Sequence, residues 1–374
     1  MRPESRRRAR GLAYIGSAPT NPYLRLLYDH LEARGFEVER CRPTVSWLIA
    51  ARRRVGILHL HWPEGIYRAS RGPRPLRGLL SWINLVRFAV LLTTARALGF
   101  RIVWTVHQML PHERCYGPLD RCAVRLLVAA ANLLLVHDDE TRRQLESSFP
   151  IRAPIRKIRH GSYVGAYPAG RSRAEMRDAL GLDDRTVAFL AFGEIRAYKG
   201  LDLLLEAFTR ATDARAALIV AGHPREPEVA KSLQAAARSD PRILLRLELI
   251  PERHVAELYQ AADVAVIARS DGGTSGALIL AFSMGKPVVT ARAYEELVGT
   301  AGWFFEPADV ESLAETLHNA AGDRAALVTK QHAATTIAEG LAWPPIADEL
   351  TVLLDQLSVD PRITKARPSP ETVS

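Results

Sequence analysis

Three cysteines in 374 residues (Cys41, Cys115 and Cys122) are too few and too widely spaced for a zinc cluster or a disulfide framework. They read as reduced thiols, as in a cytoplasmic protein. No GxxxxGK[ST] occurs, no GxGxxG follows the first predicted strand, and HExxH is missing, which removes three common phosphate and metal signatures. No charge-free apolar run reaches the roughly 18 residues that a spanning helix needs. The opening MRPESRRRAR is basic, but no apolar core follows it, so residues 1–10 are expected to be a disordered leader rather than a signal peptide. Acidic residues are scarce in the first half. Through residue 165 there are 28 Lys+Arg against 12 Asp+Glu, net +16, whereas the remainder carries −7. Such asymmetry points the first half toward an anionic surface or substrate. Its arginines are scattered among aliphatic helices rather than interleaved with aromatics, which disfavours single-stranded nucleic acid and leaves an anionic membrane face.

The length suits two domains, and 48% apolar residues suffice for two cores. Short apolar runs alternate with amphipathic helices. Expected strands are 11–17, 56–62, 101–107, 132–137, 186–193, 216–222, 242–248, 264–268 and 286–290. Helices are expected at Tyr23–Arg34, Gly200–Ala211 and Pro251–Ala262. This βαβ rhythm predicts α/β architecture, with two doubly wound parallel sheets covered by helices on both faces. AYPAGRS (166–172) marks the boundary, giving domains 11–168 and 169–342. WPPIADELTVLLDQL predicts a final helix over 343–357 opening at Pro344 and Pro345, and 359–374 is polar, Pro-rich and expected to be disordered. The apolar stretch 73–101 contains Arg77, Arg87 and Arg96. It fits either a large packing helix or a basic amphipathic helix lying on an anionic membrane.

Ligands of doubly wound sheets sit beyond the carboxyl ends of the strands. Arg196 and Lys199 follow the strand ending at Gly193, and Arg offers a planar fork for phosphate oxygens. The small-residue loop Asp271, Gly272, Gly273, Thr274, Ser275 and Gly276 leads into an apolar helix, whose free amides make an anion site. His107 ends another strand, with Gln108, His112 and Glu113 after it. It can serve a substrate hydroxyl or a backbone carbonyl. His61 and Glu64 end a third strand; His59 points the same way as His61, so one of the two histidines serves packing. His160 and Gly161 fall near the domain boundary, as a hinge loop or as structure. Asn21 can cap the first helix or meet substrate. Asp138, Asp139 and Glu140 read as a helix start. None of these spacings compels a metal.

GEIRAYKGLDLLLEAF, SDGGTSGALILAFSMGKPVVT and the closing Trp343 helix resemble the large retaining family of GT-B nucleotide-sugar glycosyltransferases. VWTVHQMLPHE and IRHGSYVGAYP are similar to a bacterial subgroup linked to exopolysaccharide and cell-surface glycans. The resemblance spans about residues 11–358. It implies two Rossmann-like domains facing a cleft, acceptor on the first, nucleotide sugar on the second, and a last helix crossing back to the first. It carries Arg196 and Lys199 over as the diphosphate grip, His107 as a residue near the transferred sugar, and Gly273, Thr274 and Ser275 as the phosphate-facing loop. The implied reaction is metal-independent, with no cofactor beyond the nucleotide sugar and a glycan or lipid-linked acceptor, in the cytoplasm or at the inner membrane face. Two family glutamates fall at Gly272 and Leu280, and neither is acidic here. That departure keeps two other functions open on the same fold: a non-catalytic partner protein and a nucleotide-sugar epimerase.

Overall fold

The computed structural model describes residues 10–16, 21–69, 73–108, 117–211, 215–269 and 272–359. The chain divides into two compact units at Arg159/His160 and Ala342/Trp343, so the helix Trp343–Val359 belongs to the first unit. The first break precedes the expected 168/169. Its cause is two hydrogen bonds that tie the 160s to the second unit: Tyr163 N to Ser283 Oγ (2.8 Å) and Ser162 N to Leu341 O (2.8 Å). Arg10, expected in the leader, donates to Arg34 O (2.6 Å) and Asp355 Oδ2 (2.7 Å). The rest of the expected leader, the tail beyond Val359, Cys115, His112, Glu113 and Asp271 lie outside the described residues.

In the first unit, β1 (Gly11–Ile15), β2 (Glu37–Arg40), β3 (Ile57–Leu60), β4 (Arg101–Val106), β5 (Leu133–Val136) and β6 (Ile155–Lys157) form one sheet in the order β2-β1-β3-β4-β5-β6. Every pairing is parallel. The central strands are apolar on both faces because helices cover both, and β3 and β5 are buried throughout. The helix Tyr23–Glu32 buries Tyr23, Leu24, Leu27, Tyr28 and Leu31, the one-faced stripe of an amphipathic helix. Asp138 caps Asp139–Ser148 by accepting from Thr141 N (2.7 Å), as its acidic start predicts. The closing helix is held against the first by ion pairs Arg34–Asp348 and Arg10–Asp355, both 2.7 Å, and by an edge-on contact of Trp343 with Tyr23.

The second unit pairs β7 (Val187–Phe192), β8 (Ala216–Ala221), β9 (Ile243–Arg246), β10 (Val264–Ile267), β11 (Val288–Ala291) and β12 (Gly302–Phe305) in the order β12-β11-β10-β7-β8-β9, again all parallel. A buried ionic knot braces its far side. The Arg177 guanidinium pairs with Asp263 (3.3 Å) and donates to the carbonyls of Ala261, Asp183 and Thr186.

β2, β6 and β12 are absent from the expected strands. All three are edge strands, and β2 reads EVER with an exposed or half-exposed pattern, so it carries no apolar run.

Candidate active site

Each sheet reverses winding direction once, which fixes where a ligand crevice opens. In the second unit the chain leaves β7 for β8 and β9, then returns to lay β10 on the opposite side. The crevice therefore lies past the carboxyl ends of β7 and β10, where Gly193–Gly200 and the 272–276 loop stand. The first of these loops meets the end of β10. Gly200 sits at φ 70°, and a Cβ placed there would lie 2.6 Å from the Ala268 carbonyl at the end of β10. Only glycine lets the two backbones come this close.

Arg196 Nε donates to Glu194 (3.0 Å), and the same carboxylate receives Arg225 (2.5 Å). Lys199 Nζ and the Arg269 guanidinium lie 5.4 and 5.7 Å from the centre of the Tyr198 ring. Four cations thus gather around this end of the sheet. Arg225, Tyr198 and Arg269 were not read from the sequence, since they stand on loops without any periodic signal. Gly272 and Gly273 adopt φ 69° and 79°. The helix Gly276–Ser283 follows, with buried Ser275 at its N-cap and no acidic residue in its first turn. Leu280 is buried within this helix. His160 and Gly161 belong to this unit as well. His160 is buried and meets Tyr163 edge to face, and the Tyr163 hydroxyl reaches toward Gly276. This segment braces the loop-to-helix junction.

In the first unit the reversal falls between β1 and β3. His61, His107 and His137 end β3, β4 and β5, so three neighbouring strands each finish in an imidazole. His61 and His107 join one hydrogen-bonded chain, while His137 Nδ1 pairs with Ile158 O (2.9 Å). Thr105 Oγ1 pairs with His59 Nε2 (2.8 Å), His59 Nδ1 with the Tyr28 hydroxyl (3.1 Å), that hydroxyl with His61 Nε2 (2.8 Å), and His61 Nδ1 with His107 Nε2 (2.9 Å). His59 and His61 are fully buried, so both belong to this chain and His107 is its half-buried end. Trp62 stacks on His107 at 4.1 Å. Burial drives the His59 imidazole down to about 3. Burial, and then the neighbouring imidazoles, hold His61 well below the usual range, and burial also lowers His137. His59, His61 and His137 are accordingly neutral at pH 7.

Asn21 Oδ1 accepts the Tyr23 amide at 2.9 Å, which is a turn-capping contact at the helix start. Glu64 lies near Gln108 (3.4 Å) and its carboxyl is raised by burial. Among the described residues no group of three or more His, Cys, Asp or Glu could hold a metal ion.

Residues 186–323 match the model of "Glycosyl transferases group 1". The GDP-mannose:glycolipid 4-beta-D-mannosyltransferase of Xanthomonas campestris pv. campestris is 30% identical, over 77% of this chain and 76% of that protein. Among solved structures, sucrose-phosphate synthase from Thermosynechococcus elongatus covers 93% of this chain and 99% of its own at TM-score 0.73 and 17% identity. Anabaena HepE in complex with UDP-glucose gives TM-score 0.71 at 17% identity, over 92% and 99%. These likenesses agree with the two parallel six-stranded sheets, and the crevice loops 193–200 and 272–276 lie inside the matched segment. With a relative at this identity over three quarters of both chains, the protein belongs to the group 1 glycosyl transferases and has the GT-B fold.

Proposed function

We propose that the protein transfers a sugar from a nucleoside-diphosphate sugar to a hydroxyl of a lipid-linked glycan, at the cytoplasmic face of a membrane and without a metal, in the assembly of exopolysaccharide or another surface glycan. The observation that carries this reading is the pair of loops at the β7/β10 crevice, the first pressed by Gly200 against the end of β10, with Arg196, Lys199 and the amides that follow Gly273. As the C1–O bond breaks, negative charge grows on the departing diphosphate. Prearranged donors at that position supply roughly 3–4 kcal/mol each in favourable cases. The Xanthomonas relative is named for GDP-mannose and a glycolipid, which supports both the donor class and the acceptor class. The exposed apolar residues of helix Arg74–Ala97 and the basic first half support a peripheral membrane position.

In a front-face retaining course the leaving phosphate takes the acceptor proton, and His107 positions the sugar. A second reading has one observation in its favour: the relative's name specifies a beta-linked product. From an alpha-linked donor, that product requires inversion and a base on the acceptor hydroxyl. His107, backed by His61, is then the base. The proton NMR coupling at the new anomeric centre separates the two courses.

The first test is thermal stabilisation across a panel of nucleotide sugars, followed by donor turnover. Stabilisation with hydrolysis or transfer supports the reading, and a purified chain that neither binds nor turns over any donor overturns it. Binding without turnover would mark a non-catalytic partner instead. An epimerised nucleotide sugar formed without acceptor would mark an epimerase.

A further inference from the structure

A cavity of about 350 Å³ opens in the first unit at the β1/β3 reversal. Its walls come from Gly16 after β1, from Arg40 and Cys41 at the end of β2, from Trp62 after β3, and from Arg87 and Phe88 on helix Arg74–Ala97. No lining residue is acidic. Neither Arg40 nor Arg87 has an ion pair or hydrogen-bond partner among the described residues, although the region is rich in paired arginines such as Arg54 with Glu39. Two exposed guanidinium groups without partners, one from the end of β2 and one from the helix, line the same cavity beside an indole and a phenyl ring, which makes an anion site with apolar walls.

The same helix has a second exposed surface. Leu76, Leu79, Trp82, Ile83, Val86 and Val90 are all exposed, from 41% to 63%. They recur at three- and four-residue spacing and so form one stripe. Phe88, Leu92 and Ala95 on another side are buried in the core. The stretch Leu76–Ala97 is long and apolar enough to cross a bilayer by composition, but a third of it is packed inside the fold. It therefore lies along a surface as one layer of the unit. Arg87 stands between the exposed stripe and the cavity. The helix carries Arg74, Arg77, Arg87 and Arg96 and no acidic residue. This composition suits the boundary between headgroups and acyl chains.

We infer that this cavity seats the phosphate of a membrane-embedded acceptor lipid, with Arg40 and Arg87 on its oxygens and the exposed stripe of helix Arg74–Ala97 in the outer acyl layer. The inference rests on the lipid-linked acceptor proposed above and adds the group by which that lipid is recognised. A neutral glycolipid would leave both arginines unanswered, whereas a phosphate monoester or diphosphate meets them with charge-assisted, two-pronged hydrogen bonds.

The test is co-sedimentation of the full chain with phosphatidylcholine vesicles that carry either a polyprenyl monophosphate or phosphatidylglycerol, matched in surface charge. The wild type is expected to prefer the polyprenyl phosphate. R40A/R87A is expected to bind those vesicles roughly ten- to a hundredfold more weakly. R52A/R53A removes two exposed arginines outside the cavity, and is expected to retain the preference. Equal weakening by both double variants, or no preference in the wild type, overturns the inference. Donor-induced thermal stabilisation is measured on every variant to show that it is folded. If donor response persists while the vesicle preference is missing, only this inference falls. If the wild type responds to no donor at all, the glycosyl-transfer reading falls instead.

Discussion

His61 Nδ1 lies 2.9 Å from His107 Nε2, while the opposite nitrogen of His61 lies 2.8 Å from the Tyr28 hydroxyl. Tyr28 has one proton to give and two imidazoles to serve, His59 and His61. If it donates to His61, then His61 donates to His107. If it donates to His59, His61 donates back to Tyr28 and accepts from His107. The direction in which the hydroxyl of Tyr28 donates thereby decides whether Nε2 of His107 carries hydrogen.

Tyr28→Phe deletes this hub and leaves one nitrogen of each of two buried imidazoles, His59 Nδ1 and His61 Nε2, without its partner. A stability loss of about 1–3 kcal/mol is expected, from the cost of unsatisfied buried polar groups. Urea denaturation measures it. The same variant should also change the pH dependence of kcat, because His107 loses its fixed tautomer.

The imidazole cluster also predicts acid sensitivity. His59 is held near 3 in the folded protein against an unfolded value of 6.5. The unfolded chain therefore binds more protons below pH 6.5. The stabilisation is complete above that pH and is lost as pH falls toward 3, by about 1.4 kcal/mol per pH unit for this one group. Melting temperature measured from pH 7 to pH 4 should fall steadily, and less steeply in His59→Gln.

Arg196→Ala and Lys199→Ala should each lower kcat by roughly two to three orders of magnitude. Both side chains are only part-buried and stand on loops, so melting temperatures should stay close to wild type. Near-normal turnover in both variants would remove them from the diphosphate site.

A Cβ at Gly222 would lie 1.7 Å from the Gly193 carbonyl. Gly222→Ala must therefore part the ends of β7 and β8 and shift the loop that carries Arg196. Weakened donor binding in a still folded protein is the expected outcome, read by isothermal titration.

The sheets were legible because their strands are buried on both faces and therefore spell continuous apolar runs, as in VAFLAF and AALIVA. The edge strand EVER was not, since one side of an edge faces solvent. Loop residues at the β7/β10 crevice were legible where glycine spacing marks a tight turn, but Tyr198 meets Arg269, and Arg225 meets Glu194, only through the fold. A signal for the imidazole chain was present: the runs GILHLH, RIVWTVH and NLLLVH each end in histidine, and parallel register brings those ends side by side. Tyr28 carried no comparable mark, because its spacing is that of any core residue on an amphipathic helix.

The two sheets reverse at different points along their width. In the second, three strands flank the reversal on each side, so the crevice opens at the middle of the sheet. In the first, only β1 and β2 lie on one side. That opening is off-centre, a short step from an exposed margin, and a molecule with a long trailing chain can enter it sideways without ever being swallowed whole.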